Sequence, residues 1–234
     1  MSIESADDWK GLRRAGRIAQ LTLDALEASV RPGVSTADLD AVAARLFAEH
    51  GARSAPAIVY GFPGTVLISV NDEVVHGIPG PRRLAAGDLV KLDVTVEKDG
   101  YIADAARSVI VESGSDVATR LAACAREAFD AALTVARAGT KVNAISRAVE
   151  STVRARGFTV VHGLTGHGVG RTIHEAPSVP NQFDPWQRDV LTDGLVLTIE
   201  PIISAGSPRI RQDRDGWTTR TSDAAGRRIT SIRS

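Results

Sequence analysis

The chain has 234 residues, of which 43% are hydrophobic and 24% charged, enough for one sizeable core. Lys and Arg (28) balance Asp and Glu (28), and aromatic residues make up only 4%, so neither a global field nor base stacking favours nucleic-acid binding. A single cysteine, Cys124, excludes an internal disulfide, and without an apolar signal core or membrane span we expect a cytoplasmic protein.

The predicted elements alternate between helical pairs and strands. Residues 8–30 carry apolar residues at helical spacing, and "STADLDAVAARLFAEHG" predicts a second helix capped by Ser35 or Thr36, with Gly51 beyond its end. Three β-rich segments follow: "AIVYGF", "TVLISV" and "DLVKLDVTVEKDGYIADAARSVIV". A second helical pair, "ATRLAACAREAFDAALTVARAG" and "NAISRAVESTVRARG", precedes apolar strands that end in "GLVLTIEPIIS".

Residues of the first half recur in the second half at a nearly constant offset. The pairs 106 positions apart are Arg31/Arg137, Gly33/Gly139 and Leu39/Ile145, and those 107 apart are Gly87/Gly194 and Asp93/Glu200. Coincidence among Ala- and Arg-rich helices is one explanation. The alternative is a duplicated αα-β unit, which predicts a single domain of two halves, about 1–115 and 116–234, with a site between them.

The dipeptide Asp99-Gly100 predicts a hairpin turn. It sets the strand register: Lys98 opposite Tyr101, Thr95 opposite Asp104, and Asp93 opposite Ala106. Asp93 and Asp104 then lie diagonally on one sheet face, roughly 7–8 Å apart. They are either solvated carboxylates or, with Glu200, acids that repel one another unless metal ions lie between them.

The segment "GHGVGRTIHE" is compatible neither with a phosphate loop nor with a zincin site. Its glycines are spaced G-x-G-x-G, no Gly-Lys-Ser/Thr follows, and H-E-x-x-H fails because residue 178 is Ser. His167 and His174 remain, among small residues that permit close approach. His76 lies in a similar context in "NDEVVHGIPG".

Five motifs together resemble those of type I methionine aminopeptidases in order and spacing. They are "NDEVVHGIPG", "KLDVTVEKDGYIAD", "TGHGVGRTIHEAP", "TIEPII" and "DGWTTRT", and the resemblance runs from about residue 5 to about residue 223. The short N-terminus is similar to the bacterial form, which lacks a zinc-binding extension. The resemblance implies an α+β pita-bread (creatinase/aminopeptidase) fold with duplicated halves about a pseudo-twofold axis. It also implies metal-dependent removal of the initiator methionine when the second residue is small.

The resemblance assigns roles by position. Asp93 would ligate one metal ion, Asp104 would bridge both, and His167 and Glu200 would ligate the other, with Glu200 also counted as catalytic. His76 and His174 would contact the scissile amide and steady the tetrahedral intermediate. The methionine pocket would be formed by Tyr60, Phe62 and Trp217, with Leu67 where the family usually has cysteine. The segment "ADAA" replaces the usual "GDTS" but keeps Asp104.

The implied cofactors are two divalent ions, drawn from Co, Mn, Fe, Zn or Ni. The implied partners are nascent polypeptide N-termini at the ribosome, with no nucleic acid, no membrane and a monomeric state. The residues leave two other functions open. One is another pita-bread exopeptidase of the proline dipeptidase type, and the other is a catalytically impaired peptide-binding protein.

The tail departs from the family pattern. Family members carry a second metal-bridging glutamate in a stretch resembling "HYEHT", whereas no Glu follows Glu200 here, and an edge of the sheet is expected to be missing. A back-translation of "GRRITSIRS", read from the third base of its first codon, gives Ser-Pro-His-Tyr-Glu-His-Thr-Leu. We therefore hypothesise a frameshifted C-terminus, the alternative being a natural truncated paralogue.

Overall fold

The computed structural model describes residues 1–222 and the backbone of residues 230–231. The helices are α1 (Ala6–Ser29), α2 (Thr36–Glu49), α3 (Ala55–Tyr60), α4 (Asp116–Val135) and α5 (Val142–Ala155). The strands of the first half are β1 (Arg53–Ser54), β2 (Leu67–Val70), β3 (Glu73–Val75), β4 (Leu89–Lys98) and β5 (Tyr101–Ile110). Those of the second half are β6 (Thr159–Val160), β7 (Thr165–Gly168), β8 (Glu175–Pro180), β9 (Ile203–Ser204), β10 (Ile210–Gln212), β11 (Thr219–Thr221) and β12 (Thr230–Ser231).

The four long helices form where they were predicted, and the cap predicted for α2 is present. Ser35 is the N-cap of α2: its side chain accepts from the Asp38 backbone N–H, and the Asp38 carboxylate accepts from the Ser35 N–H in return. Gly51 follows the end of α2 with φ 58°, as expected for a residue that terminates a helix. In the described part of the chain, no helix is long and apolar enough to span a bilayer.

The segment "AIVYGF" was predicted to be β-rich, and this prediction is wrong. Ser54 caps a short helix there by accepting from the Ala57 backbone N–H, and Pro56 lies in its first turn, where a missing N–H costs nothing. Gly61 ends the helix in the left-handed region, with φ 72°. The caps outweigh the β propensity of the intervening Ile58 and Val59 because β propensity depends strongly on context.

The predicted hairpin register is confirmed. Thr95 faces Asp104, Asp93 faces Ala106, and Lys98 faces Tyr101 across the antiparallel pair of β4 and β5. Asp99 and Gly100 have φ of 52° and 81°, the two positive values that a two-residue type I′ turn requires. On its other edge, β4 pairs with β1 and β2, so it is the central strand of this sheet.

The two halves repeat one another in structure as well as in sequence. The backbone N–H of Gly33 donates to Leu84 and that of Gly139 to Leu191, both at 2.8 Å, and the two glycines have φ of 85° and 86°. The predicted pair Leu39 and Ile145 is fully buried on α2 and α5. Each of these side chains belongs to a separate hydrophobic cluster, drawn mainly from its own half.

The strand predicted at "GLVLTIEPIIS" is only partly formed. Leu195 and Leu197 make isolated bridges, and regular pairing begins at β9, between β6 and β12. Pro201 interrupts the ladder because proline has no N–H to donate. Two predictions concern the tail: the loss of a sheet edge and the frameshift. Strand β12 pairs with β9, whereas residues 223–229 and 232–234 lie outside the described residues.

Candidate metal centre and substrate cleft

A cleft of about 560 Å³ is lined by every candidate site residue from the sequence analysis. It is lined from the first half by Tyr60, Phe62, Leu67, His76, Asp93 and Asp104, and from the second by His167, His174, Glu200 and Trp217. Asp93 on β4 and Glu200 occupy the repeated positions, and Asp104 stands on β5. His76 directly follows β3, His167 stands on β7, and His174 directly precedes β8. The cleft therefore lies between equivalent elements of the two halves.

Three side chains at the bottom of the cleft form a tight cluster. Ligand atoms of Asp104, His167 and Glu200 all lie within 4.8 Å of one another. His167 Nε2 is 3.3 Å from Glu200 Oε1 and 3.8 Å from Asp104 Oδ2. The two carboxylate side chains are only 12% and 14% exposed, so the cluster is screened from bulk water.

The backbone and Thr198 orient the cluster. His167 Nδ1 lies 2.9 Å from the Gly168 carbonyl oxygen, and donation to that oxygen leaves Nε2 with a lone pair that faces the acids. Thr198 Oγ1 accepts from the His167 backbone N–H at 2.9 Å and donates to Glu200 Oε1 at 2.6 Å. The sequence analysis missed Thr198, although its position two residues before Glu200 in "TIEP" was the available signal.

The glycines of "GHGVG" have a packing role. A Cβ at Gly166 would lie 2.4 Å from the Thr198 carbonyl oxygen, and one at Gly168 would lie 2.3 Å from that of Ala176. Real Cβ atoms do not approach oxygen so closely, so β7 fits between its neighbours only without these side chains. This contact brings His167 beside Glu200.

The pKa values of Asp93 and Asp104 are raised in the cleft. Burial raises the pKa of Asp93 well above its usual value, and the charges of Asp104 and Glu200 raise it further. Burial and the charge of Glu200 raise the pKa of Asp104 to about 7, against the opposing effects of His167 and the Thr95 hydrogen bond. Burial alone would lower the pKa of His167, but the hydrogen bond and charge of Glu200 raise it. A cation between these carboxylates would remove their repulsion.

Two further histidines open into the cleft. Burial lowers the pKa of His76, which has a φ of 60°, a left-handed backbone that is uncommon outside glycine. Burial and the neighbouring His167 lower the pKa of His174, whose ring centroid lies 4.3 Å from that of His167. The Tyr60 hydroxyl is 2.7 Å from His174 Nδ1.

An apolar wall stands beside the acids. Phe62 and Trp217 pack edge to face with ring centroids 5.2 Å apart, and Leu67 lies opposite Asp93 on the neighbouring strand. Phe62 is 3% exposed, whereas Tyr60 is 48% exposed at the mouth of the cleft. The predicted pocket residues thus comprise the buried Phe62, the half-buried Trp217 and Tyr60 at the rim.

Ion pairs behind the cleft attach the Trp217 segment to β3, and the sequence analysis missed them too. Arg220 contacts Asp72 at 3.0 Å, Glu73 at 2.8 Å and Asp213 at 2.5 Å. Arg82 also contacts Glu73, at 2.9 Å. A charge pattern in "DRDGWTTR" was visible, but its partners are 147 and 148 positions away.

The donor set suits a divalent cation. Carboxylate oxygens and one imidazole nitrogen are ligands for several such ions, and the His167 ring is held by a backbone carbonyl as metal-bound histidines usually are. The raised carboxylate pKa values indicate a site that lacks positive charge of its own. The residues present therefore fit a metal.

Comparison with known proteins also indicates a metallopeptidase. A family model described as metallopeptidase family M24 matches residues 10–230. Methionine aminopeptidase 2 of Bacillus subtilis (strain 168) is 42% identical over 225 residues, 95% of this chain and 90% of the relative. Methionine aminopeptidase of Escherichia coli (strain K12) is 39% identical, over 95% of this chain and 85% of the relative.

Solved structures agree with the sequence comparisons. The chain superimposes on methionine aminopeptidase from Rickettsia prowazekii with a TM-score of 0.93 at 33% identity, covering 99% of this chain and 93% of that one. The prolidase from Pyrococcus furiosus shares the fold at 22% identity, with a TM-score of 0.75 and coverage of 98% and 61%. The predicted pita-bread fold is confirmed. The chain belongs to metallopeptidase family M24 and, within it, to the methionine aminopeptidases.

Proposed function

We propose that this chain removes the N-terminal methionine from nascent proteins whose second residue is small. The observation that carries the proposal is the cluster of Asp104, His167 and Glu200 beside the apolar wall of Phe62 and Trp217. Peptide hydrolysis by a metal centre needs the cluster of ligands, and selection of an unbranched apolar side chain needs the apolar wall. In this proposal, residues 1–234 act as one catalytic domain with halves of about 1–115 and 116–234.

Two divalent ions would be held by four protein ligands, Asp93 and Asp104 from the first half and His167 and Glu200 from the second. Cobalt, manganese, iron, zinc and nickel are all compatible with oxygen and nitrogen donors. When bound, such ions activate water and polarise the scissile carbonyl.

The other groups of the cleft would bind and orient the peptide. The methionine side chain would lie against Phe62, Leu67 and Trp217, a contact that excludes water from the reacting bond. His174 would donate a hydrogen bond to the carbonyl oxygen as it gains charge, and His76 would contact the scissile amide. Glu200 would carry a proton to the leaving amine, which must depart neutral. The substrates would be N-termini emerging at the ribosome, met by a cytoplasmic monomer.

The tail supports a second candidate, a protein that binds peptides but cleaves them weakly. No Glu follows Glu200, so a bridging carboxylate of the family is missing from the sequence. Loss of a ligand weakens metal binding strongly, since even outer partners of a metal site contribute about tenfold to a hundredfold in affinity. A prolidase-type activity is less favoured, because the prolidase structures share only the fold.

Methionine release from Met-Ala-Ser tests the proposal. The chain is assayed with added Mn²⁺, Co²⁺ or Fe²⁺, beside a version in which residues 226–234 are replaced to restore the "HYEHT" motif. Release by both supports the proposed enzyme, and release only by the repaired version assigns the defect to the tail. Absence of release from both versions, with peptide binding retained, would favour the peptide-binding candidate.

A further inference from the structure

The hydroxyl of Tyr60 lies 2.7 Å from Nδ1 of His174, an interaction that a methionine-pocket residue does not need. We propose that Tyr60 is a positioning residue for the reaction: its hydroxyl holds His174 with the ring proton on Nε2, the nitrogen that then donates to the substrate carbonyl oxygen. The inference rests on the proposed function, which supplies the substrate.

The backbone aims Tyr60 at His174. Tyr60 is the last residue of α3, and the left-handed Gly61 turns the chain immediately after it. Its ring is 48% exposed and lies tilted by 38° to the His174 ring, with centroids 5.8 Å apart. The hydroxyl thus makes the closest interaction between the two side chains, and Tyr60 adds little to the buried apolar wall.

The His174 ring is constrained on two sides. One side contacts the His167 ring, with centroids 4.3 Å apart, and Nδ1 meets Tyr60. The His174 backbone carbonyl accepts from Thr172 Oγ1 at 3.1 Å, which holds the chain beneath the ring. A flipped ring would lose the Tyr60 hydrogen bond, so the hydroxyl selects one orientation.

The direction of this hydrogen bond decides which ring nitrogen carries the proton, and in the inferred direction the Tyr60 hydroxyl donates to Nδ1. A neutral imidazole carries one N–H, and a phenol hydroxyl that donates to Nδ1 requires the proton to be on Nε2. Within residues 1–222, Nε2 of His174 has no hydrogen-bond partner. This nitrogen is therefore available to donate to an oxygen that gains negative charge, and no proton transfer to or from Tyr60 is needed.

A double-mutant cycle tests whether Tyr60 acts through His174. Tyr60→Phe keeps the ring and removes the hydroxyl, so kcat for Met-Ala-Ser should fall about fivefold to tenfold while KM stays within about twofold. In a His174→Ala background the same change should have no further effect. A rise in KM without a fall in kcat, or losses that multiply in the double variant, would show that Tyr60 is only a pocket wall.

A spectroscopic measurement separates this inference from the proposed function. In the full chain labelled with ¹⁵N-histidine and loaded with diamagnetic Zn²⁺, the His174 signals, assigned by His174→Ala, should report the Nε2–H tautomer. Tyr60→Phe should shift them toward a mixture. Ile58→Ala, on the exposed face of the same helix, should change neither the signals nor kcat. An Nδ1–H tautomer in the unmodified chain overturns the inference, whereas absent methionine release would refute only the proposed function.

Discussion

At the scale of one residue, Asp104 lowers the stability of the metal-free fold but favours the binding of a cation. Its carboxylate is 12% exposed in the same cleft as Glu200 and Asp93, and burial and the charge of Glu200 disfavour its ionised form. Such an arrangement destabilises the metal-free fold, whereas with a bound cation the same carboxylates would stabilise it.

Replacement of Asp104 by Asn tests its proposed role as a ligand. The amide keeps the shape of the side chain but not its charge, so Mn²⁺ affinity should fall by at least about tenfold to a hundredfold. Titration calorimetry on the metal-free chain measures this affinity. Asp24→Asn is the matched control, because Asp24 is half exposed and pairs with Arg107 and Gln20, neither of which lines the cleft. Equal Mn²⁺ affinity in all three proteins would contradict the role of Asp104.

The raised pKa of Asp104 predicts how stability depends on pH. The folded metal-free chain binds this proton with a pKa of about 7, against 3.8 for the unstrained carboxyl. Because the folded state holds the proton more tightly, the Asp104 contribution to the free energy of unfolding decreases as pH rises through this range and is constant above it.

Urea unfolding of the metal-free chain from about pH 5 to about pH 8 checks this dependence. The advantage of Asp104→Asn over the unmodified chain should grow as pH rises toward 7 and then level off. A difference that stays constant across the range would mean that the Asp104 carboxyl titrates as it does in the unfolded chain.

At the scale of elements, the sequence correctly predicted those helix ends and turns that neighbouring residues determine. The cap of α2 and the Asp99-Gly100 turn are encoded by adjacent residues, and the turn determines the register that places Asp93 diagonally from Asp104. The α3 segment was mispredicted because β-branched residues suggested a strand where Ser54, Pro56 and Gly61 specify a helix. The candidate site was found through spacing and resemblance, since no local pattern brings His167 to Glu200.

The interactions that sequence reasoning missed depend on distant partners. Arg220 joins β11 to β3 through residues nearly 150 positions away, and no local signal specifies that pairing. The same holds for the Tyr60–His174 bond, which spans 114 positions. Only the folded chain shows which polar groups meet.

Arg220 should act on substrate binding through the segment that carries Trp217. Arg220→Met leaves Asp72, Glu73 and Asp213 without this partner, which should cost about 1–3 kcal/mol of stability. With Trp217 less firmly held, KM for Met-Ala-Ser should rise about fivefold to tenfold while kcat changes less.

Arg211→Met is the matched control for the Arg220 variant. Arg211 pairs with Asp213 from an exposed position, so its loss should change stability by no more than about 0.5 kcal/mol and leave KM unchanged. If both variants behave alike, the ion pairs of Arg220 do not hold the Trp217 segment. Urea unfolding and steady-state kinetics supply the two measurements.

At the scale of the whole molecule, two hydrophobic clusters are joined across the cleft. Small bridging clusters mix residues of both halves: one contains Val74 and Ile202, another Ile102 and Val169. Strand β3 of the first half also pairs with β11 of the second. These connections favour a single cooperative unfolding transition over two separate ones.

The equivalent residues Leu39 and Ile145 test that cooperativity. Each is fully buried in its own cluster, so truncation to Ala should cost about 2–5 kcal/mol at either site. The two costs should add in the double variant, because the sites share no cluster. In urea, circular dichroism and tryptophan fluorescence should give coincident transitions for every variant. A biphasic curve in one single variant would show that the halves unfold independently.

The proposed ligands are drawn equally from both halves, and this couples the fold to the metal supply of its surroundings. In the proposed function, an ion held jointly by Asp104 and by His167 with Glu200 would act as a removable crosslink that the unfolded chain lacks. Each tenfold rise in free metal above the dissociation constant would add about 1.4 kcal/mol per ion to the free energy of unfolding. When free metal is scarce, a larger fraction of the chain would be unfolded and open to proteolysis, so the concentration of this protein in the cell would fall with the metal supply.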